Sequence, residues 1–114
     1  MPATNRPPDA IDLDDHPEIR FPTEGDLLNH IILLAKAWGW AYYHPFRSDK
    51  SVIGYPDLTL VRKDDGRLVF VEVKKKGGPL RPEQWEWLEA LGKTCAEVYL
   101  WEPSDINEIV KVLT

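Results

Sequence analysis

Cysteine, histidine and long apolar runs are all scarce in this sequence, and each scarcity removes a class of protein. The single cysteine, Cys95, rules out an intrachain disulfide framework and a cysteine-based zinc site, and such sparse thiol use points to a reducing compartment. The three histidines, His16, His30 and His44, show no ligand spacing and read as structural. The longest apolar run, Ile31 to Ala35, falls far short of the roughly 18 residues needed to span a membrane. The N-terminus, MPATNRPPDAIDLDD, has no apolar signal-peptide core, so a cytoplasmic protein without membrane partners is expected. Positive charge is in deficit as well: 14 Lys plus Arg against 19 Asp plus Glu give a formal net charge of −5. As a total, that deficit argues against nucleic acid, because backbone binding is driven by Lys and Arg neutralising phosphates. What remains is a chain of 114 residues, 43% hydrophobic, enough for one small domain with one core.

The placement of the charges reverses the inference from their sum. Residues 1–26 carry seven acids and two bases, a net of −5, while 27–114 carry twelve of each. Within 47–81 there are nine bases and five acids, a net of +4. The acidity belongs to the N-terminal end, and the centre of the chain is mildly basic. Residues 1–20 hold four of the ten prolines and only scattered apolar residues, and are expected to be a disordered acidic tail. Such a tail serves either as a solubilising leader or as an acidic segment covering a basic surface. The folded domain is expected over 21–114.

The domain reads as αβββαβα, without internal repeats. Thr23 and Asp26 have capping-box spacing, and Leu27, Leu28, Ile31, Ile32, Leu34, Ala35 and Trp38 supply an apolar stripe ending at Gly39. Trp40 to His44 reads as a strand and Pro45 to Tyr55 as a polar loop. Leu58 to Arg62 and Leu68 to Lys74 are strand-like runs around Asp65-Gly66, a strong hairpin signal. Pro82 opens a helix to about Leu91, Ala96 to Trp101 is a further strand, and Ser104 is placed to cap a closing helix. Trp85 and Trp87, two apart on a helix, cannot both face one core.

If Asp65-Gly66 is a two-residue turn, Asp57 lies opposite Lys74 and Thr59 opposite Glu72. Side chains alternate along a strand, so Asp57, Glu72 and Lys74 share one face, while Leu58, Leu60, Val69, Val71 and Val73 form an aliphatic face opposite. In that register Asp57 and Glu72 are diagonal neighbours with Cα atoms about 7–8 Å apart. One cation with oxygen ligands at about 2.0–2.1 Å fits between their carboxylates. A Mg²⁺ or Mn²⁺ ion held there lowers the pKa of bound water and acts as a Lewis acid on a phosphodiester, and an adjacent ammonium stabilises developing charge. The same triplet also fits a plain surface hairpin in which Lys74 pairs with Asp57, because E-x-K occurs in many exposed strands.

The wider pattern is more specific. Gly54-Tyr55-Pro56-Asp57, Glu72-Val73-Lys74 and Leu80-Arg81-Pro82-Glu83-Gln84, in this order, resemble the VRR-NUC (virus-type replication-repair nuclease) family of the PD-(D/E)xK nuclease superfamily. The resemblance extends from about Thr23 to Leu113 and implies a restriction-endonuclease-like α/β fold, a central mixed sheet flanked by helices. It implies that Asp57 and Glu72 hold a Mg²⁺ or Mn²⁺ ion with the backbone carbonyl of Val73, that Lys74 is the catalytic lysine, and that Glu24 lies near the metal. It also implies that Gln84 supports the lysine or the water. Arg81 departs from the pattern, where many members have Ser or Thr, and is placed instead to contact phosphate. Arg47, Lys50, Lys75 and Lys76 are further candidates for DNA contact; charged loop residues are equally served by solvation. Glu24 likewise fits a first-turn acid in the helix dipole, and Gln84 a polar helix residue.

The expected activity is therefore a divalent-metal-dependent DNA endonuclease of a bacterial or phage-infected cell. Similarity to compact Holliday-junction resolvases implies branched DNA, DNA repair and a homodimer, with no organic cofactor. The alternatives are a nuclease for flaps, nicks or linear duplex, or a catalytically silent DNA-binding module of the same fold.

Overall fold

The computed structural model describes residues 15–45 and 52–114. The first long helix begins where Thr23 and Asp26 satisfy each other's backbone: Asp26 N–H donates to Thr23 Oγ1 at 3.0 Å, and Thr23 N–H donates to Asp26 Oδ2 at 3.2 Å. This is the capping box its spacing predicted, and it starts helix α2 (Glu24–Ala37). Gly39, at φ 83°, takes the left-handed position that ends it. Leu27, Ile31 and Ala35 recur every four residues and are fully buried.

Four strands follow from the alternating runs: β1 (Trp40–Tyr43), β2 (Leu58–Arg62), β3 (Arg67–Val73) and β4 (Glu97–Trp101). They lie in the order β1-β2-β3-β4; β1–β2 and β2–β3 are antiparallel and β3–β4 is parallel. The parallel pair requires a crossover, supplied by α3 (Pro82–Gly92). A 3₁₀ turn (Pro103–Asp105) and α4 (Ile106–Leu113) close the domain. Leu58, Leu60, Val69, Val71 and Val73 are buried on one face with Leu27, Ile31 and Ala35 of α2 and Ile109 and Leu113 of α4. Helix α3 covers the opposite face, where Tyr55 packs edge-on against both Phe70 and Trp87. The result is the expected mixed sheet with helices on both faces, a restriction-endonuclease-like core. No described helix is long and apolar enough to cross a membrane.

Several expectations change. The hairpin register is displaced by two residues: Leu58 pairs with Val71 and Arg62 with Arg67, leaving 63–66 as a four-residue loop. A two-residue type I′ turn needs positive φ at both central positions, and among the described non-glycine residues none has it. Only Gly66 turns left-handed, at φ 71°, while the Asp65 carboxylate is held by Arg62 Nη2 at 2.8 Å. A two-residue displacement preserves side-chain alternation, so the aliphatic and polar faces are unchanged. Continuing this register sets Asp57 directly opposite Glu72 rather than diagonal to it.

At the N-terminal end, Pro17–Arg20 forms a single helical turn, α1, inside the stretch expected as tail. Its anchor is the buried Phe21, whose N–H donates to Pro17 O at 2.8 Å and whose ring lies 4.9 Å from His30. Ser104 does not cap α4: its hydroxyl donates to Glu102, and Asp105 is the N-cap.

Charges at the start of β3 are fully paired. Arg67 donates to Glu97 through Nε and Nη2, both at 2.7 Å, and to Val112 O through Nη1 at 3.0 Å. Trp40 sits beneath the Arg62 and Arg67 guanidinium groups and donates from Nε1 to Leu113 O at 2.9 Å. The bonds from Arg67 hold the Glu97 carboxyl below its ordinary pKa of 4.5, whereas burial and the Glu97 carboxylate push the Tyr99 phenol up to about 12. A carboxyl depressed on folding binds fewer protons in the native state, so its stabilisation is present above 4.5 and is lost as pH falls through the lower native value. Glu97→Gln should therefore lower stability near neutrality by up to about 1 kcal/mol, and should flatten the acid limb of unfolding free energy measured by urea titration.

Candidate active site

On the face opposite the aliphatic core, β3 carries Phe70 and Glu72, and Lys74 follows in the same alternation. Glu72 is 2% exposed. Its Oε2 accepts from Gln84 Nε2 at 3.0 Å and lies 3.9 Å from Lys74 Nζ, while its Oε1 is buried without a hydrogen-bond partner. Burial and the neighbouring Asp57 carboxylate push the Glu72 carboxyl up to about 8; Lys74 partly offsets the effect, and the Glu24 charge adds to it. Asp57, Glu72, Lys74 and Gln84 are thus brought together, with Glu24, at the start of α2, within electrostatic reach.

Asp57 is held where the β2–β3 ladder ends. Leu58–Val71 is its last pair, so the Val73 N–H finds no strand partner beyond it. The Asp57 side chain substitutes, Oδ2 accepting from Val73 N–H at 2.7 Å. A strand residue presents its N–H and C=O on the same edge, so the Val73 carbonyl leaves β3 on the Asp57 side.

Gln84 joins the site to its helix. Its Oε1 accepts from Arg81 N–H at 2.9 Å, capping the first turn of α3, while its amide nitrogen reaches Glu72. The Arg81 side chain makes no cap bond and is exposed, so the departure from Ser or Thr costs the helix one half of its box. Gly54 locks the preceding loop to the same turn: it has φ 84°, and a Cβ there would lie 2.5 Å from the Glu83 carbonyl carbon. Lys75 and Lys76 are exposed beyond β3 and are not part of the buried cluster. Arg47 and Lys50 lie outside the described residues.

The VRR-NUC domain model matches residues 40–102, more than half of the chain. The chain belongs to the VRR-NUC domain family. The VRR-NUC match runs from the start of β1 to the residue after β4, and contains Asp57, Glu72, Lys74 and Gln84 but not Glu24. Membership gives the protein a nuclease-type function and DNA as its class of substrate. Comparison with curated proteins and with solved structures returned no match.

The site's capacity for a divalent cation follows from its donors. Among the described residues, no three His, Cys, Asp or Glu side chains form a complete ligand set. A hard cation such as Mg²⁺ needs no such set, because it keeps several waters and is commonly bound through one or two carboxylates. Two adjacent carboxylates, one with an unpartnered buried oxygen, fit that requirement. Sequence reasoning missed two contributors. Gly54 was visible only as a motif letter, its close approach to Glu83 being a long-range contact. His44, read as structural, donates from Nδ1 to Asp57 O at 2.6 Å.

Gly54→Ala should lower stability by about 1–3 kcal/mol, since both backbone conformation and space oppose a side chain. Gly92→Ala, whose Cβ meets nothing within 4 Å, serves as a near-neutral control. Thermal denaturation of the two variants checks this.

Proposed function

We propose that the protein is a Mg²⁺- or Mn²⁺-dependent DNA endonuclease that hydrolyses phosphodiester bonds in branched DNA, four-way junctions included, as a homodimer. The observation that carries the reading is Glu72, buried with an unpartnered oxygen beside Asp57 and within 3.9 Å of the Lys74 ammonium. A carboxyl buried next to another carboxylate takes up a proton near neutrality, and a bound cation is what would keep both ionised. In this reading Asp57, Glu72 and the Val73 carbonyl hold the ion, with Glu24 contributing from α2. Bound there, the metal supplies Lewis acidity toward the phosphate and a lowered pKa for water.

The protein's own groups do the rest. Lys74 places a positive charge beside the Glu72 carboxylate, where it orients water and stabilises charge developing on phosphate. Gln84 fixes the Glu72 rotamer through one end of its amide while the helix backbone fixes the other. Lys75, Lys76 and Arg81, all exposed around the loop between β3 and α3, hold the DNA backbone. Two copies related by a twofold axis would supply the paired cuts that a four-way junction requires. The exposed aromatic surface of Trp38, Tyr42, Tyr43 and Trp85 offers material for such an interface.

The test compares a synthetic four-way junction, a flap, a nicked duplex and a linear duplex with Mg²⁺ or Mn²⁺. The junction should be cut fastest, and Lys74→Ala and Asp57→Ala should slow cleavage by about 10²–10³-fold while binding persists. Intact protein that binds these forms and cuts none with either metal would leave only a silent DNA-binding module. Equal cutting of linear duplex would remove the branched-DNA preference but keep the nuclease.

A further inference from the structure

The end of β1 makes an interaction that neither the family match nor the charge pattern anticipates. Tyr43 is the last residue of β1 in the ladder and pairs with Thr59. Continuing that antiparallel register sets Pro45 opposite Asp57. Proline has no N–H, so the ladder has no backbone donor to offer the Asp57 carbonyl. The His44 side chain fills that place, Nδ1 lying 2.6 Å from Asp57 O. A carbonyl can only accept, so Nδ1 carries the hydrogen and the histidine donates.

Asp57 is thereby fixed at both ends. Its backbone carbonyl is held by His44 of the β1 side, and its carboxylate by Val73 N–H of the β3 side. Asp57 precedes β2, follows Pro56 and lies outside the paired residues of both ladders. Without the imidazole, the Asp57 carbonyl has no donor on the β1 side and its peptide is held only through the pairing of Leu58 with Val71, so the Asp57 main chain loosens and its carboxylate moves relative to Glu72.

We infer that His44 is a positioning residue for Asp57, holding its main chain so that the carboxylate faces Glu72 in a geometry ready for a divalent cation. The metal part of this inference rests on the proposed function; the positioning part does not. His44 acts through Asp57 and takes no part in bond breaking. Its role resembles that of outer groups which orient a ligand without touching the metal, and whose loss weakens metal affinity by roughly 10- to 100-fold.

Geometry also selects the variants. Asparagine places Nδ2 at the same bond count from the backbone as the histidine Nδ1, so it can donate to the same carbonyl. Glutamine places its nitrogen one bond further out and cannot do so from the same rotamer. His44→Asn should therefore keep the function that His44→Ala and His44→Gln lose.

Two measurements on the 114-residue chain test this. In the absence of metal, amide hydrogen exchange at Val73 reports whether Asp57 still accepts its N–H. The Val73 amide should be protected in wild type and His44→Asn, and should exchange at least about tenfold faster in His44→Ala and His44→Gln. Titration with Mn²⁺, followed by the electron-paramagnetic-resonance signal of the free ion, should show affinity falling roughly 10- to 100-fold in the same two variants and recovering in His44→Asn. Amides of α2 and α4, remote from the bond, report global stability and should stay protected throughout. Unchanged Val73 exchange in His44→Ala would overturn the inference. So would equal losses in His44→Asn and His44→Ala, which would mean that the ring's packing matters and its donor does not. Wild-type protein that takes up no Mn²⁺ would overturn the metal reading, while the exchange result would still decide the positioning role.

Discussion

The Glu72 carboxylate, buried on the third strand of the sheet beside a second carboxylate, is the constraint around which the rest of this small fold is arranged. Ionising this carboxyl is costly: burial and the Asp57 charge beside it push its pKa up to about 8, so near neutrality it holds its proton. Three elements converge to tolerate it. Helix α3 sends Gln84 to one oxygen, the strand's own continuation sends Lys74, and Asp57 is turned so that its Oδ2 also meets a backbone N–H. Because the Gln84 amide also caps α3, the helix cannot shift without releasing the carboxylate. Gly54 adds the same coupling from the other direction, since the loop carrying Asp57 packs against the first turn of that helix. One oxygen, Glu72 Oε1, still lacks a partner after all of this.

The period of two along β3 keeps that strain away from the part of the molecule that supplies stability. Val69, Val71 and Val73 point into the aliphatic core, while Phe70, Glu72 and Lys74 point the other way. The two ends of the strand also use charge differently. At its start, Arg67, Glu97 and Tyr99 satisfy one another, and Trp40 lies against the guanidinium. That end is closed and has nothing to offer a ligand. At its far end a carboxylate oxygen is left over. Perturbed groups of both kinds occur on one strand, and it is the incomplete pairing, with the perturbation, that separates the site from a structural ion network.

How far the sequence carried the reading depended on the range of the interaction involved. Thr23 with Asp26, Gly39 and Pro82 act within one turn of their helices, and each did what its local chemistry dictates. The hairpin was harder. Asp65-Gly66 looked like a two-residue turn, but Asp65 stays at negative φ and is engaged by Arg62 instead. The displacement was by two residues, so the face shared by Asp57, Glu72 and Lys74 survived; a displacement by one would have separated them. Ser104 lost the cap to Asp105, whose carboxylate accepts the Glu102 N–H through the intervening 3₁₀ turn. Trp85 is exposed and Trp87 packs on Tyr55, as their spacing required. The role of His44 was not readable at all, because the missing N–H of Pro45 matters only once the β1–β2 register is known.

Charge is the property most changed by this geometry. Summed over the chain it is −5, a poor start for binding a polyanion. Yet Glu72 is followed, after Val73, by Lys74, Lys75 and Lys76, so acid and base are presented within a few residues of each other. On the proposed reading the carboxylates repel a phosphate backbone until a cation offsets them, after which the same surface attracts it. Metal and DNA would then each raise the other's affinity by the same factor, since coupling between two bound ligands is reciprocal. Lysines alone would bind DNA in either state, and buried carboxylates alone would bind metal without regard to DNA. On that reading, setting both on one strand end would couple the two, so that bound metal tightens the hold on DNA without being its sole source.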